Sequence, residues 1–204
     1  MKKKTAAETP VIDRRQDLVG AAYRQIAHLG FEGLRTRDVA AAAGVNVATL
    51  HYYFPTKEAL IGDVLKHAMQ RFRSTMPAGG SPSDQLRNHF AGIRRLVRDE
   101  PELFAVMGEL ALRSARDPAI RELYEQTTDI WQATVRGLLV KAARDGHLTG
   151  FGNPDAQASL VVSALTGASM IPLSRPERLT ETIAELERSL GLGRTALAPG
   201  GEIS

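Results

Sequence analysis

Residues able to carry out covalent or metal chemistry are few in this 204-residue sequence. The chain contains no cysteine, which excludes disulfides, thiolate catalysis and cysteine-ligated zinc. The histidines share no spacing typical of metal ligands and stand at His28, His51, His67, His89 and His147. The sequence also lacks a Gly-rich phosphate loop, a Glu-x-x-His pair and a local nucleophile signature. It therefore predicts a protein that is not an enzyme and that needs no metal or cofactor.

The segment from Thr36 to Tyr53 predicts two short helices joined by a tight turn, with Thr36 as the cap of the first. Gly44 suits the turn because glycine takes a positive φ without steric cost, and Ala40 is small enough for the helices to approach. The apolar positions expected to bury the crossing are Val39, Ala43, Val45, Leu50 and Tyr53, which leaves Val47, Ala48, Thr49, His51 and Tyr52 more outward. An ordinary helical hairpin is the alternative, but the joint pattern favours a helix-turn-helix that binds DNA.

Charge is unevenly distributed along the chain. Residues 1–76 carry 12 Lys and Arg against 7 Asp and Glu, whereas residues 77–204 carry 14 against 16. A basic front end is typical of a segment that meets a polyanion, although solvated charged helices also produce it. Lys2, Lys3 and Lys4 form either a basic arm that reaches DNA or a merely solubilising terminus.

Helical periodicity runs through almost the whole chain, which predicts an all-α fold of about nine helices. A linker at 77–81 separates predicted helices at about 13–30, 36–44, 47–53 and 57–73 from five more at about 82–99, 101–114, 118–144, 154–171 and 176–190. We expect a helix-turn-helix domain over residues 1–56, a connecting helix over 57–76, a helical ligand-binding and dimerisation domain over 77–191 and a disordered tail over 192–204. No apolar run is long enough to cross a bilayer and no signal peptide is recognisable, so a cytoplasmic protein is expected.

Residues 34–60, LRTRDVAAAAGVNVATLHYYFPTKEAL, resemble the DNA-binding signature of the tetracycline-repressor (TetR) family. The resemblance is close over residues 14–65, and the ending Phe54-x-x-Lys57-x-x-Leu60 is a distinctive part of it. The region from Asp145 to Gly167 is similar to the corresponding part of many members. The resemblance implies three N-terminal helices that bind DNA, a fourth that joins them to a regulatory domain, and two last helices that pair in a homodimer.

The resemblance also implies roles for individual side chains, because the third helix of the family enters the major groove. The residues expected to contact DNA are Thr36, Arg37, Val47, Ala48, Thr49, His51, Tyr52 and Lys57. Arg37 can donate a bidentate pair to guanine, with a solvated arginine as an equal alternative, and Thr49 is the best polar candidate for a base contact on the third helix. Thr36, Tyr52 and Lys57 correspond to positions that contact backbone phosphate.

Two further sites follow from the implied architecture. A small-ligand cavity is expected beside the seventh helix, lined by Phe104, Met107, Tyr124, Thr127, Trp131 and Met170. A dimer interface is expected on the last two helices, through the small residues Ser163 and Gly167 and the stripe Leu179, Ile183 and Leu186. For the cavity residues the alternative is plain core packing, and for the interface residues it is packing inside a single subunit.

The expected function is that of a sequence-specific DNA-binding transcriptional regulator. In its most specific form it is a homodimeric repressor, released from a palindromic operator in double-stranded DNA by a small-molecule effector. One alternative is a helical bundle that carries a ligand, which leaves the N-terminal motif unexplained. Another is a nonspecific DNA-binding protein, which predicts similar affinity for any sequence. An activator is a further alternative, since one fold supports both kinds of regulator.

Overall fold

The computed structural model of the chain describes residues 13–76, 79–146, 148, 152–170 and 177–192. These residues form helices and no strand, which confirms the predicted all-α fold. The helices are α1 Arg14–Gly33, α2 Thr36–Ala42, α3 Val47–Tyr53, α4 Lys57–Arg73, α5 Pro82–Asp99, α6 Pro101–Ser114, α7 Pro118–Arg144, α8 Pro154–Met170 and α9 Glu177–Ser189. None of them is both long enough and apolar enough to pass through a membrane. The predicted basic arm, Lys2 to Lys4, lies outside the described residues.

Contacts divide the chain into two compact units, one ending at Val64 and the other beginning at Leu65. The division falls inside α4, within the segment that the sequence assigns to a connecting helix. In the first unit, α2 packs against α1 and α3. In the second unit, α7 packs against α5, α6 and α8, while α9 packs against α8 and α5.

A glycine kink shapes the end of α1. Asp13 caps the helix, since its carboxylate accepts from the backbone N–H groups of Arg15 and Gln16 at 3.1 and 3.3 Å. Gly30 takes a positive φ, at 65° with ψ at −178°, but helical structure resumes after it and continues to Gly33. The predicted helix end at Gly30 is therefore a bend. The turn beyond it buries Phe31.

The turn between α2 and α3 has the geometry predicted for it. Gly44 has a φ of 68°, and its N–H donates to the carbonyl of Ala41 at 3.1 Å. The next N–H, of Val45, reaches back to the carbonyl of Ala40 at 2.9 Å. These two bonds together satisfy carbonyl groups that the end of α2 leaves without helical partners.

The predicted capping role of Thr36 is wrong. Thr36 is itself the first helical residue of α2, the capping position is occupied by Arg35, and no side chain hydrogen-bonds to the start of the helix. The extended backbone of Arg35 already lets the carbonyl of that residue accept from the N–H groups of Asp38 and Val39, both at 3.0 Å. A threonine one position later than the cap cannot turn its hydroxyl back to those groups.

Proline at the first position starts α5, α6 and α7, as their sequences predict. Two of these starts also carry a side-chain cap. Ser81 accepts from the N–H of Asp84 at 3.1 Å, and Asp117 accepts from the N–H groups of Ala119 and Ile120 at 3.1 and 3.3 Å. These local signals fix where the long helices of the second unit begin.

The apolar stripe of α9 packs inside its own subunit. Leu179, Ile183 and Leu186 are buried within the single chain, where α9 lies against α8 and α5. The prediction that these three side chains form a dimer interface is corrected accordingly, in favour of the alternative in which they belong to the core. The prediction that Leu192 belongs to a disordered tail is wrong, because Leu192 is buried and its carbonyl accepts from Nε of Arg87 at 2.9 Å. Residues 193–204 lie outside the described residues.

Candidate functional site

The short helix α3 has one buried anchor and an otherwise accessible surface. Leu50 is only 1% exposed and fixes the helix against the rest of the first unit. Ala48, His51 and Tyr52 are exposed, and the side chains that are half-buried are Val47, Thr49 and Tyr53. The predicted division holds for the inward Leu50 and for the outward Ala48, His51 and Tyr52. The other predicted positions are half-buried, whether they were expected to lie outward (Val47 and Thr49) or inward (Ala43, Val45 and Tyr53).

Asn46 caps α3 and holds Thr49. Its side-chain oxygen Oδ1 accepts from the backbone N–H of Thr49 at 2.8 Å and from the Thr49 hydroxyl at 3.0 Å. The hydroxyl hydrogen of Thr49 is therefore committed, and only its oxygen lone pairs remain for another partner. Sequence reasoning did not single out Asn46, although an asparagine directly before a helix is a strong capping signal.

Arg15 connects the end of α3 with α1 and α4. Its guanidinium bonds to the carboxylate of Asp63 at 2.6 and 2.8 Å and lies with Cζ 4.6 Å from the ring centroid of Phe54. A third, longer bond of 3.5 Å runs from Nη1 to the carbonyl of Tyr53, the last residue of α3. Sequence reasoning missed this contact, because its partners are 38 and 48 residues away and no local pattern marks it.

Lys57 is tied to the kink of α1. Its ammonium donates to the carbonyl of Phe31 at 3.3 Å, and that carbonyl also accepts from the N–H of Leu34 at 3.2 Å. Lys57 is half-buried, whereas a lysine that served only solubility would extend into water. An ammonium has three N–H groups, so two remain after this bond.

Three exposed polar side chains of the predicted DNA-contacting set have no hydrogen-bond or ion-pair partner within the described residues. Arg37, His51 and Tyr52 are exposed and make no hydrogen bond or ion pair there. The ring of Tyr52 is 81% exposed and meets the ring of Tyr53 edge to face, with 5.2 Å between the centroids. Thr36, the remaining member, is half-buried at the start of α2. The first unit thus presents uncommitted hydrogen-bonding groups on α2 and α3.

The second unit contains a cavity of about 130 Å³ beside α7. All of the residues predicted for a ligand pocket line it, namely Phe104, Met107, Tyr124, Thr127, Trp131 and Met170. Sequence reasoning missed Phe72 and His89, which complete the aromatic part of the wall. The rings of Phe72 and Phe104 meet edge to face at 5.5 Å, and the ring centroid of Phe72 is 6.3 Å from that of Trp131.

A chain of hydrogen bonds runs through the cavity wall. The indole N–H of Trp131 donates to Nε2 of His89 at 2.9 Å. Because an indole nitrogen can only donate, the His89 proton must be on Nδ1, which lies 2.7 Å from the hydroxyl of Thr75. That hydroxyl donates in turn to the carbonyl of Phe72 at 2.6 Å. Each of these donors and acceptors is therefore satisfied when the hydrogen bonds run in one direction, from Trp131 through His89 and Thr75 to the Phe72 carbonyl.

His89 is neutral in this arrangement. Its side chain is only 1% exposed, and burial lowers its pKa to about 4, because desolvation disfavours the charged imidazolium. No three His, Asp or Glu side chains of the described residues converge to form a metal site.

The outward surface of α8 combines one exposed leucine with small residues. Leu160 is 61% exposed, and both predicted interface residues of this helix, Ser163 and Gly167, are exposed on the same side. The residues follow one another at spacings of three and four, which keeps them on one helix face. Leu160 was missed, although this spacing from Ser163 would have marked it.

Comparison with known families identifies the first unit. Residues 18–64 match the family model of bacterial regulatory proteins, tetR family. The matched stretch contains the α2–α3 turn, the whole of α3 and the position of Lys57.

Curated relatives extend the similarity across most of the chain. The HTH-type transcriptional regulator LuxR of Vibrio harveyi is 28% identical over 153 residues, which cover 73% of this chain and 74% of the relative. The nicotine-responsive transcriptional repressor HdnoR of Paenarthrobacter nicotinovorans is 26% identical over 156 residues, which cover 74% and 80%. Among solved structures, a TetR transcription regulator from Haloarcula marismortui has the same fold, with a TM-score of 0.79 and 18% identity over 87% of this chain and 96% of the other.

Proposed function

The chain belongs to the TetR family of bacterial regulatory proteins, which are DNA-binding transcriptional regulators and not enzymes, and from this premise we propose that it is a homodimeric repressor. The dimer binds a palindromic operator and leaves it when a small molecule occupies the cavity of the second unit. The observation that carries the proposal is the exposed surface of α3, anchored by the buried Leu50 and bordered by side chains without partners.

In this proposal α3 lies in the major groove of the operator. A groove about 12 Å wide admits an α-helix, and the outward residues of α3 then face base edges. Val47 and Ala48 have no hydrogen-bonding side chains, so they contact thymine methyl groups or fill space. Since α3 has only seven residues, it forms about two turns, and the base contacts are confined to these.

Thr49 contributes a hydrogen-bond acceptor to the groove. Its hydroxyl hydrogen is held by Oδ1 of Asn46, so the oxygen can accept but not donate. The major-groove donors of DNA are the amino groups of adenine N6 and cytosine N4. We therefore assign Thr49 to an adenine or a cytosine of the operator.

Arg37 reads a guanine. It is exposed in the first turn of α2, and it is not held by a carboxylate anywhere in the described residues. A guanidinium in this state can donate in parallel to guanine O6 and N7, which is the commonest specific contact to that base.

The phosphate contacts position α3 in the groove. Lys57 offers two N–H groups beyond the one bonded to Phe31, and the phenol of Tyr52 and the imidazole of His51 are free to donate. The start of α2 carries no side-chain cap, so the N–H groups of Thr36 and Arg37, the first two of the helix, are available to an anion. Such contacts set register and affinity, while the base contacts set specificity.

The dimer forms through the outward side of α8. Leu160, Ser163 and Gly167 make an exposed strip in which small residues allow close approach of a second helix. The exposed Leu160 costs solvation free energy, which a symmetric partner recovers by covering it. Leu179, Ile183 and Leu186 of α9 are buried within the chain, so the proposal assigns the apolar contact to Leu160 of α8.

Ligand binding regulates the operator complex in this proposal. The cavity in the second unit is lined mainly by aromatic and methionine side chains, with hydroxyls as polar anchors. A ligand that binds more tightly to a conformation unable to match the groove spacing shifts the population away from DNA.

The proposal is tested by selecting duplexes from a random pool with the purified full chain. We expect enrichment of a palindrome whose half-sites are about 34–36 Å apart, or a multiple of one helical turn. A pool in which no sequence is enriched, combined with binding of every duplex, would show a nonspecific DNA-binding protein instead. Compounds are then screened for release of the enriched duplex.

A further inference from the structure

Arg73 is the single formally charged residue in the cavity wall that the described residues form. Neither Asp, Glu nor Lys lines that wall, and His89 is neutral. Arg73 itself is exposed and has no ion-pair partner in the described part of the chain. By contrast, the guanidinium of Arg71, two residues earlier, is paired with the carboxylate of Glu100. The cavity therefore carries an uncompensated positive charge.

Most other polar groups of the wall are already used. The hydroxyls of Thr127, Thr128 and Thr134 donate to carbonyls of their own helix at 2.8, 3.0 and 2.7 Å. The N–H of Trp131 is held by His89. Donors without a partner in the described part of the chain remain at Arg73 and at the hydroxyls of Tyr124, Thr166 and Ser169, so the polar end of a ligand must be able to accept hydrogen bonds.

The size and lining of the cavity limit the rest of the ligand. An apolar cavity of roughly 150 Å³ is known to take benzene, so a volume of about 130 Å³ corresponds to one six-membered ring. The rings of Phe72, Phe104 and Trp131 surround this space and favour an apolar occupant.

We propose that the cavity binds a compact carboxylic acid, with a single apolar ring among Phe72, Phe104 and Trp131 and its carboxylate paired with Arg73. A cation of the same shape is disfavoured, because it meets the charge of Arg73 and finds no carboxylate in the described wall. The inference rests on the proposed function only in treating this cavity as the effector site.

Binding is measured on the full chain without DNA, using three probes of matched shape: cyclohexanecarboxylate, cyclohexanecarboxamide and cyclohexylmethylammonium. Calorimetry gives the affinities. Emission from Trp131 reports occupancy of the cavity directly, because it is the sole tryptophan of the chain and lies in the wall. We expect the acid to bind roughly two- to tenfold more tightly than the amide, the range of a partly exposed ion pair, and the ammonium to bind most weakly.

Two variants assign that preference to Arg73. Arg73→Gln removes the charge and brings the acid down to the affinity of the amide, whereas Arg73→Lys retains most of the difference. The matched control is Arg116→Gln, an exposed arginine that does not line the cavity, and it leaves the preference intact. The thermal midpoint of each variant verifies that it is folded.

Several outcomes overturn the inference: equal affinity of acid and amide, tightest binding of the ammonium, equal effects of Arg73→Gln and Arg116→Gln, or no probe that changes the emission of Trp131. The proposed regulation fails separately. An acid that occupies the cavity but does not release the operator refutes the regulation alone, while a neutral or cationic compound that releases the operator refutes the ligand class alone.

Discussion

The indole N–H of Trp131 and the Nε2 atom of His89 are 2.9 Å apart, and this bond fixes the protonation of a buried imidazole. Protonating Nε2 would set two N–H groups against each other, so the charged form of His89 loses Trp131 as well as its solvation. The aromatic wall of the cavity is therefore organised by a histidine that must stay neutral.

The first prediction concerns stability against pH. The pKa of His89 is about 4 in the folded chain and near 6.5 in the unfolded chain, so the unfolded chain binds more protons between these values. The stabilising contribution is complete above about pH 6.5 and is lost as the pH falls toward 4, by an amount on the order of 3 kcal/mol. Urea unfolding at several pH values measures the free energy of unfolding.

His89→Gln removes this titration, so the stability of the variant declines less between about pH 6.5 and 4 than that of the wild type. At neutral pH the variant is less stable by about 1–3 kcal/mol, because Trp131 or Thr75 is left without a partner. The exposed His51 serves as control, since His51→Gln should keep the wild-type pH dependence. If the free energy of unfolding of His89→Gln falls with pH as steeply as that of the wild type, His89 is not the source of the acid sensitivity.

The second prediction is that Lys57→Ala weakens binding to all duplexes. Loss of one phosphate contact lowers the slope of log affinity against log salt concentration by about 0.9. Fluorescence anisotropy with the selected operator and with a scrambled duplex over a salt series measures both effects. Lys141→Ala, an exposed lysine of the second unit, provides the comparison and leaves the slope unchanged. An effect of Lys57→Ala on the operator alone contradicts a phosphate role.

The third prediction separates base reading from general affinity. Arg37→Ala relaxes the preference at one base pair by roughly 1–3 kcal/mol if its guanidinium pairs with guanine. Affinities for the operator and for its single-base variants locate the position. Arg24→Ala changes an exposed arginine on α1 and should leave the base preference at every operator position unchanged. If Arg37→Ala weakens binding to every base variant equally, Arg37 contacts phosphate and not a base.

The fourth prediction tests the acceptor role of Thr49. Thr49→Val keeps the branched shape but removes the oxygen, and it should reduce discrimination for adenine or cytosine at one position by roughly 1–3 kcal/mol. Thr49→Ser keeps the hydroxyl and its bond to Asn46, and should retain the preference. If the valine variant selects the same operator with the same discrimination, Thr49 contributes no hydrogen bond to a base.

The fifth prediction concerns self-association. Leu160→Glu places a charge in the proposed α8 interface and should weaken dimerisation roughly tenfold or more, since an unpaired charge is costly to bury. Light scattering over a dilution series measures the dissociation. Leu112→Glu is the matched control, because Leu112 is also an exposed leucine and lies on α6. A dimer that tolerates Leu160→Glu but not Leu112→Glu would place the interface elsewhere.

Local signals predicted the helices well. Prolines at positions 82, 101 and 118 mark the first residues of α5, α6 and α7, and Gly44 marks the end of α2. These residues act through their own backbone preferences, so their effect does not depend on distant partners. The same reasoning failed at Thr36 by a single position. Threonine is common at the capping position, but here that position is Arg35 and Thr36 is the first helical residue.

Contacts between residues that are distant in the chain could not be predicted from the sequence. The stripe Leu179, Ile183 and Leu186 shows that one face of α9 is buried, but periodicity does not tell whether the covering surface belongs to the same subunit or to another. Likewise, Trp131 and His89 are separated by 42 residues, so their hydrogen bond appears only once α5 and α7 pack together.

If Lys57 contacts phosphate as proposed, its bond to the Phe31 carbonyl has a consequence for the strength of operator binding. Immobilising a free lysine side chain removes up to about 2 kcal/mol of rotational entropy. Here much of that freedom is already lost when the first unit folds, because the ammonium is held at the bend of α1. A phosphate that arrives at Lys57 meets a cation already in place, and less of its attraction is offset by ordering the side chain.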